Sequence, residues 1–213
     1  SLKENHPGIF TYTPKDSLDL LAEQLLSEIK NPLTLEEFYL ITAKLTNAVH
    51  CSHTGGKLPS SYQNLANDFG KYFPMRLFFD QERAYYISTG TEAEQPIPPG
   101  NEVVGINDRS IREIIEHLFY YIPSEGCNAT TKYNVLNKSF NTLFYLMDDS
   151  EQFTVKFKKG DTIETTRVSA SPLSDVNSNS GTPDPDKRVE FNYISKGSIG
   201  MLDVSSFAIP DMD

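Results

Sequence analysis

The sequence predicts an α+β fold, in which a small helical domain is followed by a partly open β-barrel that contains helices. Three observations predict it. Amphipathic helical patterns fill residues 1–70, strand-like runs begin at Met75, and these runs return after two intervening helices. A polar stretch over residues 169–187, expected to be a mobile surface loop or linker, then precedes two more strand-like runs.

The first helix is predicted to follow Thr13, its expected N-cap, with Pro14 as the first helical residue. Asp16 is expected in the first turn, where a negative charge is favourable. The dipeptide Asn31-Pro32 is expected to end the helix. The apolar face of this helix comprises Leu18, Leu21, Ala22, Leu25, Leu26 and Ile29.

A second helix is predicted from a capping box formed by Thr34 and Glu37. Its amphipathic pattern continues to Val49, and the paired glycines that follow break the regular spacing. A third helix is expected to begin near residue 60. Its apolar residues are Tyr62, Leu65, Ala66 and Phe69.

Five strand-like runs are predicted between residues 75 and 168. They cover residues 75–79, 84–88, 102–106, 153–157 and 162–168. Two helices lie between the third and fourth runs: Ser110 caps one of them, and residues 130–147 form the other. The two closing runs, residues 189–194 and 199–204, have no evident partner, which indicates that another domain follows.

Composition excludes several classes of function. The net charge of −10 repels phosphate backbones, so nucleic-acid binding is not expected. No apolar run reaches the length of a membrane helix, and the opening at Ser1 carries no signal peptide and indicates a processed or truncated product. Cys51 and Cys127 fit no zinc motif; they form either one disulfide or two buried free thiols, and no cofactor is expected.

The segment Gly100-Asn101-Glu102-Val103-Val104-Gly105-Ile106-Asn107-Asp108-Arg109-Ser110-Ile111 resembles a motif of bacterial PDZ-like domains. Asn101 and Asp108 replace the usual Asp and Gly, and both tolerate turns. The resemblance implies a groove that binds an extended C-terminal peptide as an added strand. The carboxylate-binding loop of such domains has no clear counterpart, so a purely structural spacer is the alternative.

Three other stretches resemble the tail-specific (C-terminal processing) serine peptidases. They are His6-Pro7-Gly8-Ile9-Phe10, Ile122-Pro123-Ser124-Glu125-Gly126-Cys127-Asn128, and Ile199-Gly200-Met201-Leu202-Asp203-Val204-Ser205-Ser206-Phe207. The resemblance implies a helical domain over residues 1–70, a PDZ-like domain over residues 71–170 and a linker or mobile loop over residues 171–188. It also implies the start of a truncated catalytic α/β domain over residues 189–213, a polypeptide substrate and a secreted, periplasmic or cell-surface location.

Ser52-His53-Thr54 resembles the Ser-His pair of the tricorn-like branch of this family. The resemblance gives His53 the role of general base, and Ser52 that of a neighbour that orients the ring or the oxyanion. His50 is the chief rival as base. Two further interpretations remain: His53 is an ordinary surface residue, or His50 and His53 form a metal pair that lacks a third ligand.

No nucleophile with the family's local pattern occurs in the sequence, and Ser198 is expected in a turn. The chain by itself is therefore expected to be an inactive portion of a serine endopeptidase. The alternative is a non-catalytic PDZ-like module that binds peptides or a partner.

Overall fold

A computed structural model describes residues 2–62, 70–89, 96–177, 189–194 and 199–204. The chain divides into two compact units, Ser1–Asn177 and Ser178–Asp213. The first unit combines helices with an antiparallel sheet, which confirms the predicted α+β fold class. Among the described residues, no helix is long and apolar enough to cross a bilayer.

The structure describes three complete helices before the sheet: α1 (Leu2–Asn5), α2 (Lys15–Glu28) and α3 (Leu35–Asn47). The short α1 was not predicted. The capping box of α3 is confirmed, because the Thr34 side chain accepts a hydrogen bond from the Glu37 N–H and the Glu37 carboxylate accepts one from the Thr34 N–H. Residues 60–62 are helical where the third helix was predicted, and Leu65, Ala66 and Phe69 lie outside the described residues.

The predicted capping role of Thr13 is wrong. Pro14 occupies the N-cap position of α2 and makes no side-chain capping bond. The Thr13 hydroxyl instead donates to the carbonyl oxygen of Ala48 at 2.6 Å, which ties the start of α2 to the end of α3. Only part of the predicted apolar face of α2 is buried. Leu18 and Leu25 are buried, whereas Leu26 is 67% exposed.

The sheet contains six antiparallel strands in the order β1-β2-β3-β5-β6, with β4 paired to β3. The strands are β1 (Met75–Asp80), β2 (Arg83–Thr89), β3 (Glu102–Ile106), β4 (Arg109–Ser110), β5 (Gln152–Lys159) and β6 (Thr162–Ser169). Each predicted strand is confirmed, and the open order leaves β1 and β6 at the two edges. The sheet is therefore partly open, as expected.

Two helices lie between β4 and β5. The first, α4 (Ile111–Phe119), begins at a capping box formed by Ser110 and Glu113, and its four buried residues share one face: Ile111, Ile114, Ile115 and Leu118. The second, α5 (Ala129–Tyr145), is kinked at Ser139, which has φ −131° and ψ 16°. Both helices contribute buried residues to the same core as the sheet.

The core of the first unit is rich in aromatic rings. The ring of Phe73, which is fully buried, meets those of Phe140, Phe144 and Phe153 edge to face, with centroids 5.3 to 5.9 Å apart. This geometry is favourable because the positive edge of one ring faces the negative face of another. The core thereby joins the strand β5, the helix α5 and the segment before β1.

The structure differs from prediction near the end of the chain. Helix α6 (Leu173–Asn177) lies within the stretch predicted as a loop or linker, and Val176 is fully buried. In the second unit, β7 (Val189–Ile194) and β8 (Ile199–Val204) are strands as predicted, and they pair with each other in antiparallel register. No further strand among the described residues pairs with this two-stranded sheet.

Candidate functional site

The candidate base, His53, lies on a tight loop that follows α3. Within this loop the Thr54 N–H donates to the Cys51 carbonyl at 3.0 Å, and Thr54 is buried. Ser52 and His53 lie at the exposed tip of the same turn. The loop therefore presents both predicted site residues to solvent while Thr54 anchors it to the protein.

A carboxylate that the sequence did not single out lies beside this tip. Glu125 Oε2 accepts hydrogen bonds from the backbone N–H of Ser52 at 3.3 Å and from its hydroxyl at 3.4 Å. Glu125 Oε1 accepts a third from the Tyr12 hydroxyl at 3.1 Å. The carboxylate thus joins three segments that are far apart in sequence.

These bonds shift two ionisation equilibria. The N–H of Ser52, the Tyr12 and Ser52 hydroxyls and the nearby charge of His53 together hold the pKa of Glu125 below its usual value. The hydrogen bond to Glu125 and its negative charge raise the pKa of the Tyr12 hydroxyl. Glu125 is therefore a carboxylate that stays ionised beside the candidate base.

The backbone around Glu125 is held against the His53 loop. The Gly126 N–H donates to the His50 carbonyl at 2.9 Å. Gly126 has a φ of +53°, and a Cβ there would lie 3.2 Å from the ring of Tyr12. Glycine is favoured on both counts, because a side chain would be strained in this conformation and would crowd the ring.

His50 has a different environment from His53. Its φ is +55°, an uncommon conformation for a residue other than glycine. Its Nδ1 atom is buried without a hydrogen-bond partner among the described residues. No group of three potential metal ligands occurs in the described part of the chain. The geometry therefore favours His53 over His50 as the residue that an external group reaches.

The two cysteines flank this site and are both free thiols. Cys51 is half-buried and packs against the small apolar cluster of Ile9, Leu18 and Val49. Cys127 is exposed, so the prediction of two buried thiols is wrong for this residue.

A partly buried polar network connects the base of the loop to helices α4 and α5. The Asn47 amide, at the end of α3, donates to the carbonyls of Phe119 and Tyr120 at 3.3 and 3.0 Å. The Lys132 ammonium donates to the same Phe119 carbonyl at 2.7 Å and to Asn47 Oδ1 at 3.3 Å. Because the network satisfies carbonyls at the end of α4, it fixes the His53 loop relative to α4 and α5.

The segment that resembles the PDZ-like motif forms β3 and the turn to β4. Asn107 has a φ of +54°, as a tight turn requires. Its side chain bridges two elements, since its amide donates to Asp148 Oδ2 at 2.9 Å and its carbonyl accepts from the Thr154 N–H at 2.9 Å. The turn predicted from this motif is therefore present.

The outer edge of β1 is closed by two side chains of α5. Asn137 accepts from the Phe79 N–H at 2.6 Å and donates to the Phe79 carbonyl at 3.1 Å, as a neighbouring strand would. Asn141 donates to the carbonyls of Phe73 and Met75 at 2.6 and 3.0 Å. Some of the backbone groups that an added peptide strand would use at this edge are therefore already satisfied.

We expect the substitution Asn137→Ala to lower the free energy of unfolding by about 1–3 kcal/mol, because it leaves a buried N–H and carbonyl without partners. Chemical denaturation monitored by circular dichroism measures the change. Asn134→Ala is the matched control, since Asn134 is exposed on the same helix. Equal stabilities of the two variants would contradict a structural role for the Asn137 amide.

The sequence predicted neither the role of Glu125 nor those of Asn47 and Lys132. Glu125 lay within a quoted family segment, but nothing local in the sequence indicates that its carboxylate contacts Ser52, which is 73 residues away. Asn47 lies at the end of an amphipathic helix, where a polar residue is ordinary.

No family model and no curated protein matches the sequence. Among solved structures, the fold is similar to that of CPAF, a chlamydial serine protease. A serine-to-alanine mutant of CPAF is 16% identical, with a TM-score of 0.52 over 72% of this chain and 27% of that chain. CPAF complexed with lactacystin is 14% identical, with a TM-score of 0.51 over 79% of this chain and 32% of that chain.

A third structure, mature CPAF, is 11% identical, with a TM-score of 0.52 over 92% of this chain and 43% of that chain. The chain therefore spans less than half the length of these structures. At such identities the similarity is one of fold, here the fold of part of a serine protease.

Proposed function

We propose that this chain is the N-terminal and PDZ-like portion of a secreted serine endopeptidase of the tail-specific family, tricorn-like branch, in which His53 is the general base. The observation that carries the proposal is the exposed position of His53 on a loop that is hydrogen-bonded to the rest of the fold. The similarity of the fold to part of CPAF supports it.

The proposed chemistry requires a base that a separate group can reach. A serine hydroxyl is a weak nucleophile at neutral pH and needs a neighbouring base to accept its proton. Imidazole is suited to this role because its charge changes near neutral pH. Since His53 is exposed, a nucleophile supplied by a downstream domain has access to its ring.

Ser52 has a narrower role in this proposal than the sequence indicated. Its N–H and its hydroxyl both point to the carboxylate of Glu125. A donor that is engaged with a carboxylate is not available to an oxyanion. Ser52 therefore anchors the His53 loop, and the oxyanion donors belong to the rest of the protease.

The alternative, a non-catalytic module that binds C-terminal peptides by strand addition, is disfavoured at the β1 edge of the sheet. Asn137 and Asn141 already bond to the outer edge of β1, so an incoming peptide would have to displace them. Titration of the chain with a library of C-terminal peptides tests this alternative, and saturable binding that competes with the α5 contacts would favour it.

Hydrolysis of fluorescently labelled casein tests the proposed function. We expect no hydrolysis by the 213-residue chain and clear hydrolysis by the protein from the complete reading frame. Because CPAF has been crystallised with lactacystin, we also expect lactacystin to inhibit that hydrolysis. Activity of the 213-residue chain alone, or none in the complete protein, would contradict the proposal.

A further inference from the structure

We infer that Glu125 is a positioning residue for His53, whose carboxylate holds the base-bearing loop and faces the charge that the imidazole acquires. The inference rests on the proposed function and extends it to a residue with no role in the predicted site. Geometry, the rigidity of the surrounding turn and electrostatics each support it.

The two carboxylate oxygens of Glu125 accept hydrogen bonds from different residues. Oε2 takes both hydrogen bonds of Ser52, the residue that directly precedes His53. Oε1 takes the hydrogen bond of Tyr12, from the segment that precedes α2. Both carboxylate oxygens are therefore engaged, one with Ser52 and one with Tyr12.

Glu125 can position another residue only if its own backbone is fixed. The Asn128 N–H donates to the Glu125 carbonyl at 3.1 Å, which closes a turn. Ser124, which is 1% exposed, donates its hydroxyl to the Gly126 carbonyl at 3.3 Å. With the bond from the Gly126 N–H to the His50 carbonyl, these contacts anchor the residues on both sides of Glu125.

Electrostatic interactions also link Glu125 to its neighbours. The ionisable groups that act on Glu125 are His53 and Tyr12, and Cys51 lies close enough to Tyr12 to affect it. The hydrogen bonds from Ser52 and Tyr12, and to a smaller extent the charge of His53, hold the pKa of Glu125 below its usual value. Solvent and salt weaken the attraction between Glu125 and His53, because both groups are exposed.

The direction of the pKa shift of Glu125 determines how its contribution to stability changes with pH. The folded-state pKa of Glu125 is lowered relative to the unfolded chain. The stability that Glu125 contributes to the folded state is therefore fully present at pH values above the unfolded-state pKa. It is lost as the pH falls through the folded-state pKa. The loop that carries His53 should loosen in this acidic range and stay ordered at neutral pH.

Nuclear magnetic resonance of the 213-residue chain tests the contact without any need for peptidase activity. We expect the Ser52 amide resonance to follow the titration of Glu125, and this response to vanish in Glu125→Gln. We expect His53→Ala to move the titration midpoint of Glu125 upward. A Ser52 amide that does not respond to acid, or a midpoint unchanged by His53→Ala, would overturn the inference.

Kinetics of the complete protein test the positioning role. We expect Glu125→Ala to lower kcat about 10-fold with little change in KM, and Glu125→Gln to restore part of the loss, since an amide oxygen still accepts from Ser52. Glu151→Gln is the control, because Glu151 is an exposed carboxylate whose partner is Lys71.

The outcomes separate the two proposals. An active enzyme that Glu125→Ala leaves unchanged would overturn the role of Glu125 alone. A wild-type protein without peptidase activity would remove the proposed function, and the positioning role of Glu125 with it.

Discussion

Replacement of His53 by alanine is expected to lower the peptidase activity of the complete protein by about 10³-fold, because it removes the group that accepts the proton of the nucleophile. The loss should appear in kcat more than in KM, since the base acts in the transition state rather than in substrate binding. Initial rates with a fluorogenic peptide over a range of substrate concentrations measure both constants.

The structure makes this a clean test, because folding should not depend on His53. Its side chain is exposed at the tip of a turn, so its removal should change the free energy of unfolding by less than about 0.5 kcal/mol. His117→Ala is the matched control: His117 lies on α4, and its ring contacts Tyr121. Full activity of His53→Ala would exclude His53 as the base.

The largest effect on stability is expected for Phe144→Ala. Phe144 is fully buried, and its ring lies 5.2 Å from that of Phe140, 5.8 Å from that of Phe73 and 6.0 Å from that of Phe153. Removal of the ring loses the favourable free energy of burying its apolar surface. It also leaves a cavity between α5, β5 and the segment before β1. We expect the free energy of unfolding to fall by about 3–5 kcal/mol.

Urea denaturation monitored by circular dichroism measures this loss in the 213-residue chain. Phe78→Ala is the matched control, because Phe78 lies on β1 but is 49% exposed. It should cost far less than Phe144→Ala. If the two variants were equally stable, Phe144 would not be part of a packed core.

Local signals in the sequence predicted the elements well. The capping box at Thr34 and the helical spacing after Ser110 depend on residues three or four positions apart, and both helices are present. The strands were likewise found because alternating burial is a property of neighbouring residues. The predicted domain boundaries, the catalytic roles of His53 and Ser52 and a polypeptide substrate stay predictions.

The failures share a cause, which is competition from distant groups. Thr13 has the chemistry of an N-cap, but the Ala48 carbonyl, 35 residues away, takes its hydroxyl. Also unpredicted were the bonds of Asn137 and Asn141 to Phe79 and Phe73, which come from a helix later in the chain. Neither partner can be read from a local pattern.

The sequence by itself determined the order of the longer helices and of the strands and singled out His53, because periodicity, capping and a family motif depend on neighbouring residues. Only the tertiary structure decided which groups surround His53. The Glu125 carboxylate meets Ser52 across 73 residues, and Tyr12 across 113. Such contacts depend on how Asn47, Lys132 and the aromatic core hold the helices against the sheet, and packing of this kind is a property of the whole fold.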